Sequence, residues 1–332
     1  MQTSTQTSSI PLVIYDFRVL CFLIYNTIES TTLYNAAELV INRQVQLSEA
    51  VYHRAEVPFL KPDELSDTSL ELLAASLTPD EANFLEQEEL QKYARSCWAI
   101  VMNRGPNAVD YTPHVAVVVD DNGGTVPYWR KQLFPEYKGN RTQKPDLVLS
   151  VGQIGVQYVN KPGSPWLYYS VPGYEADDIA GALVYIKRTH QYFNGQPHIA
   201  NRDIWLYTVD SDWLQLVGKG VTWYNTGPWE PRVRGHAEAL AWAFKRLKVT
   251  IKHPTQIVDT KMKQGDKSDN LPKGTPRHMI DLMVGHPKYH LKNNPIWPEL
   301  VSTFDYHTPN QVMAHYDAAK RWIYSRGYRM PT

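Results

Sequence analysis

A chain of 332 residues with 43% hydrophobic and 20% charged residues can bury a sizeable core, which excludes a disordered or fibrous protein. Lys and Arg number 34 and balance 34 Asp and Glu, so no global basic field marks a nucleic-acid partner, and Cys21 and Cys97 are too few for a disulfide framework or a cysteine-ligated metal. The apolar run from Ile10 to Tyr25 carries Asp16 and Arg18, charges that a signal peptide or spanning helix would not hold in its middle, so the expectation is a cytoplasmic protein with no membrane partner.

Residues 1–9 read as a frayed polar tail. PLVIYD (11–16) has the profile of a buried strand ending in a carboxylate. Residues 26–77 show no clean period and read as an insertion with some helix. Thr78-Pro79-Asp80-Glu81 is a helix start, with an N-cap, a Pro at the first position and acids in the first turn, and predicts a helix to about Met102. HVAVVVDDNGG (114–124) is a second strand, Pro165–Val171 a third, Asp178–Phe193 a helix, Asp203–Asp210 a fourth strand and Val221–Asn225 a fifth. From about residue 235 onward, through AEALAWAFKRL and VMAHYDAAKRWIYSR, the pattern is helical. Strands alternating with helices predict an α/β protein with a central, mostly parallel sheet and helices on both faces.

Carboxylates fall where such a sheet places ligands, at the strand ends. Asp16, Asp120 or Asp121, and Asp210 each close an apolar run; Asp210 and Asp212 share a side if strand geometry continues. Glu175, Asp177 and Asp178 open a helix in GYEADD, and Asp266 and Asp269 in GDKSDN are spaced for one helical face. Singly, the acids of GYEADD, Asp210 with Asp212, and GDKSDN have ordinary structural roles as turn residues or helix caps, whereas Asp16, an acid inside so apolar a run, needs a partner. Converging on one sheet edge they would repel unless cations neutralised them, and an all-oxygen set suits magnesium or manganese. Two such ions about 4 Å apart serve phosphodiester hydrolysis. Setting aside nine of these acids leaves 25 against 34 basic residues, a net +9 for the rest of the chain, which suits a polyanionic substrate. His53, His114, His190 and His278 have no metal-ligand spacing and read as structural or solvated.

In order along the chain, VIYD (13–16), VVVDDNGGTV (117–126), LFPEYKGNR (133–141), GYEADDIAGAL (173–183), TVDSDWLQLV (208–217) and QGDKSDNLP (264–272) resemble the 5′-nuclease superfamily of flap endonucleases and 5′–3′ exonucleases, particularly the bacteriophage exonucleases and the 5′-nuclease domain of DNA polymerase I. The resemblance covers residues 114–275 best and implies a PIN-like 5′-nuclease fold with a helical arch and a helix–hairpin–helix-like C-terminal region. The division it suggests is an α/β core over 10–245, with the insertion at 26–77 and an arch at 138–172, then a helical DNA-binding region at 246–332. It implies a first metal cluster of Asp16, Asp121 or Asp120, Glu175, Asp177 and Asp178, and a second of Asp210, Asp212, Asp266 and Asp269. Lys138 and Arg141 match the basic residues that approach the scissile phosphate. Tyr137, Arg130, Lys131, Lys144 and Lys273 complete the expected nucleic-acid contacts.

The implied activity is metal-dependent hydrolysis at 5′ flaps or ends, with two or more Mg2+ ions (Mn2+ substituting), acting on DNA or an RNA–DNA hybrid in replication or repair, as a monomer beside replication proteins. Phe17 stands where the family has Gly, and Leu23 where it carries Arg. Only Gly274 survives of the glycines that hold a monovalent ion, so K+ binding is left open. Pro145, Gly152, Gly155 and Pro162 predict irregular helices in the arch region. Two other readings stand beside this one. A catalytically weak DNA-binding scaffold would have lost site acids, and a PIN-like ribonuclease would lack LFPEYKGNR and GDKSDN.

Overall fold

Strands that are apolar at every position must be covered on both faces. The computed structural model of the chain buries every residue of Leu12–Asp16; it describes residues 11–104, 115–120, 135–140, 145–161, 166–170, 175–189, 192–193, 196–197, 203–225, 233–254, 256–267 and 270–274. Its strands are β1 (Leu12–Asp16), β2 (Val115–Asp120), β3 (Trp166–Ser170), β4 (Tyr192–Phe193), β5 (Gln196–Pro197), β6 (Ile204–Tyr207) and β7 (Val221–Tyr224). Five form one sheet in the order β3-β2-β1-β6-β7, every pair parallel. The chain moves from β1 outward to β2 and β3, then crosses to the other side of β1 for β6 and β7. The order therefore reverses between β1 and β6, and the crevice beyond the carboxyl ends of strands at such a reversal is where open α/β sheets bind ligands. Asp16 ends β1 and Thr208 follows β6, so the acid-bearing ends meet there.

The chain divides into two compact units, one of residues 1–20, 104–145 and 156–332, the other of 21–103 with 146–155. In the first, Leu12 and Ile14 of β1 and Ile204 and Leu206 of β6 pack with Ile179, Leu183 and Val184 of the helix Ala176–Thr189 and with Ala239, Trp242 and Ala243 of the helix His236–Leu247. On the opposite face Tyr15, Tyr207 and Tyr224 lie in register across three strands, ring centroids 5.0 and 4.7 Å apart, and Trp166 stacks 4.5 Å from Tyr15. This row absorbs part of the 12% aromatic content that base stacking would otherwise have to explain.

Helix α1 (Phe17–Glu29) follows β1 with no linker, an element the apolar run to Tyr25 concealed. The helix expected over Asp178–Phe193 is shorter, Ala176–Thr189, and Tyr192–Phe193 instead pairs antiparallel with Gln196–Pro197. Asn194-Gly195 between them is a strong hairpin signal that the helical reading overrode.

The second unit contains the insertion. Here α2 (Ala36–Ile41), α3 (Glu49–Arg54) and α4 (Asp67–Ala75) enclose their own core of Leu39, Val40, Val51, Leu70 and Leu73, joined by Leu85 from α5 (Pro79–Arg104). Asn35 and Glu38 form a capping box on α2, Ser66 caps α4, and Thr78 and Glu81 satisfy one another's backbone N–H at the start of α5. Asp146–Val159 is one continuous helix, α6, despite Gly152 and Gly155. Trp98 of α5, fully buried, donates its indole N–H to the Val151 carbonyl at 2.9 Å, and a Cβ on Gly155 would overlap its ring. Alanine improves helix propensity by about 1 kcal/mol, but overpacking a core costs about 1–3 kcal/mol. Gly155→Ala is therefore expected to lower stability; a denaturant midpoint at or above that of the parent would show that the ring moves aside freely. Among the described residues no helix is long and apolar enough to cross a membrane.

Candidate active site

The site grows from the β1–β6 reversal. Asp16 is 8% exposed; its Oδ1 accepts from the backbone N–H groups of Arg18 (3.1 Å) and Val19 (3.3 Å), capping α1, while Oδ2 accepts from the Thr208 hydroxyl at 2.9 Å. The same hydroxyl oxygen accepts from Asp210 N–H at 3.0 Å. Thr208 thus couples the ends of two neighbouring strands. Asp210 Oδ1 then accepts from Asp212 N–H at 2.9 Å and caps a 3-10 turn over Ser211–Leu216. Strand geometry stops at Tyr207, so the strand alternation expected to relate Asp210 and Asp212 does not hold.

A second group forms at the start of the helix Ala176–Thr189, designated α7. Glu175, 3% exposed, donates its N–H to Asp178 Oδ2 at 3.0 Å, which engages one Asp178 oxygen in the helix start. The Glu175 carboxylate accepts from Lys138 Nζ at 2.7 Å and from the Tyr137 hydroxyl at 3.0 Å. Tyr137, expected against unpaired bases, is 1% exposed: its ring is core and its hydroxyl completes an acid's hydrogen bonds. Lys138 holds φ +55°, a left-handed conformation of the kind that clusters where geometry is over-determined. Its neighbour Asp177 accepts from Trp213 Nε1 at 2.6 Å. Desolvation, then the Asp210 and Glu175 carboxylates, push the Asp177 carboxyl well above the usual range, against the pull of Lys138 and the Trp213 indole. Asp177 therefore feels acids from both expected clusters.

The third group involves α9 (Gln256–Gln264), which follows α8, the helix His236–Leu247. Lys261 of α9, its side chain 14% exposed, sits 2.5 Å from Asp212 Oδ1 and 2.7 Å from Asp266 Oδ2. Desolvation works against its charge but is outweighed by Asp212, Asp210 and Asp266, which hold the ammonium protonated well above the ordinary lysine range. The helix ends at Gln264, so Asp266 lies not on a helical face but in a turn bridged to Leu271, entered through Gly265 at φ +77°. A Cβ there would lie 2.7 Å from the Leu271 carbonyl, which requires glycine. Two asparagines clasp this turn to the Lys138 turn: Asn140 Nδ2 donates to the Lys267 carbonyl (2.6 Å) and Asn270 Nδ2 to the Glu136 carbonyl (2.8 Å).

Asp16, Asp210, Lys261 and Asp266 line one open cavity of about 470 Å3. Among the described residues no three carboxylates, imidazoles or thiols are placed to hold a metal ion as they stand. The donors are nevertheless all oxygen, as hard divalent ions require, and the ammonium between Asp212 and Asp266 is a stand-in cation at that place. The residues fit a divalent metal.

Asp120 closes β2 opposite Ser170. Asp121, Asp269, Arg141, Arg130, Lys131 and Lys144 lie outside the described residues, and Lys273 is exposed in the turn after Leu271. Sequence reasoning missed Thr208 and Trp213, though both stand inside TVDSDWLQLV, and Lys261, whose signal was a lysine pair just before GDKSDN. It also missed Asn140 and Asn270, whose partners are 127 and 134 residues away.

Residues 97–244 match the family model of the 5′-3′ exonuclease, N-terminal resolvase-like domain. The chain is 28% identical over 163 residues to a 5′-3′ exonuclease of Buchnera aphidicola subsp. Acyrthosiphon pisum, covering 49% of this chain and 48% of that protein. To DNA polymerase I of Chloroflexus aurantiacus it is 31% identical over 163 residues, 49% of this chain and 16% of the polymerase. The chain thus spans less than half the length of these relatives. A crystal structure of the T5 D15 protein, co-crystallised with metal ions, aligns with 93% of this chain and 90% of its own at 15% identity and a TM-score of 0.42.

Proposed function

We infer that the chain is a 5′ nuclease, its residues 97–244 belonging to the 5′-3′ exonuclease, N-terminal resolvase-like domain family. The observation that carries the reading is that Asp210 and Glu175, one from each expected cluster, both act on Asp177, while Trp213 donates to Asp177 at 2.6 Å and Lys138 pairs with Glu175 at 2.7 Å. The substrate is DNA with a 5′ flap or 5′ end, with an RNA–DNA hybrid the next class to test.

Asp16, Asp177 and Asp210, together with Asp212 and Asp266, would hold Mg2+ or Mn2+; such ions activate water and stabilise attacking and leaving oxygens of an in-line displacement. The chain's own groups do the rest. Thr208 and Trp213 orient Asp16 and Asp177 by hydrogen bonds, as outer partners orient ligands in other metal sites. Lys138, on a constrained turn, carries a compact charge to where a phosphate develops negative charge. The net +9 outside the acid set favours approach of a polyanion.

The test is cleavage of matched 5′-flap, nicked and RNA–DNA substrates with magnesium and with EDTA. Magnesium-dependent cutting of the flap is the expected result; binding without cutting at any metal concentration overturns it. A pH effect follows from Asp177. With its carboxyl raised, the folded state keeps a proton that the unfolded chain releases, so the metal-free fold loses stability as pH rises from the ordinary carboxylate range through that of Asp177. An ion must drive that proton off. Metal binding is expected to release protons and tighten with rising pH, measurable by calorimetry in buffers of different ionisation enthalpy; no buffer dependence would count against it.

A further inference from the structure

We propose that Lys261 is a built-in competitor for the second metal position, an ammonium that neutralises Asp212 and Asp266 in the metal-free chain and must leave before a divalent ion binds there. The inference rests on the nuclease reading and adds a control on its ion affinity. Its geometry is specific. Lys261 lies on α9 five residues before Asp266, and the intervening turn, through Gly265 at φ +77°, folds Asp266 back onto it. Nζ reaches one carboxylate from the sheet edge (2.5 Å) and one from this turn (2.7 Å), bridging two segments 54 residues apart, numbers 212 and 266. At 6% and 11% side-chain exposure, these two acids have little water to screen them.

Buried carboxylates without a cation would repel and be costly. Lys261 removes that cost, and in doing so sets the threshold for metal entry. An ion must displace an ammonium already held by two charged contacts, so its apparent affinity falls by the strength of those contacts. The long flexible stem can swing the charge out without moving the helix. A guanidinium would keep the competition, whereas an apolar side chain of similar length would abolish it.

The test compares the full chain with Lys261→Met and Lys261→Arg, titrating Mn2+ without nucleic acid by calorimetry and counting bound ions by electron paramagnetic resonance. Lys261→Met is expected to bind an ion at least about tenfold more tightly than the parent, to melt at lower temperature without metal and to regain more on adding it. Lys261→Arg should keep parental affinity. If Lys261→Met folds only with manganese present, that supports the proposal; if it stays unfolded in millimolar manganese, the lysine is structural and the proposal falls. Equal or weaker ion binding by a folded Lys261→Met, in a parent that cleaves flaps with metal, overturns this inference alone. No manganese binding by any variant overturns it together with the nuclease reading.

Discussion

Asp177→Asn is expected to reduce flap cleavage by at least about 10³-fold while DNA affinity changes only a few-fold. The substitution keeps the volume of the side chain and its amide oxygen can still accept from Trp213 Nε1, so the packing at the start of α7 should survive. What it removes is a charge. Asp177 is the acid on which Asp210 and Glu175 both act, so it stands at the electrostatic centre of the site. Anchoring of a long duplex depends on phosphate contacts spread over basic surface, not on one carboxylate. The metal-free melting temperature should hold or rise, since Asn carries no disfavoured charge, while the increment from added metal should shrink. Parental turnover by this variant would falsify the assignment of Asp177.

Lys138→Ala is expected to slow single-turnover cleavage by about 10²–10³-fold, the scale of losing one preorganised charge near a developing oxyanion. Two effects are mixed in that variant. Removing the ammonium loses its pairing with Glu175, which keeps the Tyr137 hydroxyl from that turn, while the left-handed strain of about 1 kcal/mol that the lysine already bears persists in the alanine variant. Lys138→Gly separates them. Glycine relieves the backbone, so stability should recover while the rate stays low. If Lys138 merely tethered nucleic acid, both variants would bind about one phosphate contact more weakly, with a shallower salt dependence, and would cut normally at saturating enzyme. A normal saturating rate would make it a binding residue.

The sheet was legible because its strands are continuous apolar runs closed by carboxylates, and Asp16 and Asp120 still mark the ends of β1 and β2. Parallel strands buried on both faces leave that signature and little else. Less visible were local competitions. Asp16 doubles as the cap of α1, so a helix starts directly after the strand, in a stretch to which the apolar run assigned no element. Asp210 caps a 3-10 turn and thereby breaks the alternation that spacing suggested. Tyr137 looked like a stacking residue because a phenol's ring and hydroxyl can serve either water or core, and only the position of Glu175 decides. Lys261 was invisible for a different reason: charge counting over a whole chain says nothing about which lysine is drawn inward.

The clasp made by Asn140 and Asn270 also bears on the timing of synthesis. The turn carrying Lys138 leaves the ribosome well before the segment that ties it down, since the bonds from Asn140 and Asn270 span 127 and 134 residues. At 5–20 residues per second that interval is on the order of ten seconds. Throughout it the nascent chain can pair the strands that end in Asp16 and Asp120 but cannot complete the anchored turn, nor the Asp266 loop on which Lys261 closes. The acidic site is thus assembled by the last stretch of described sequence to emerge.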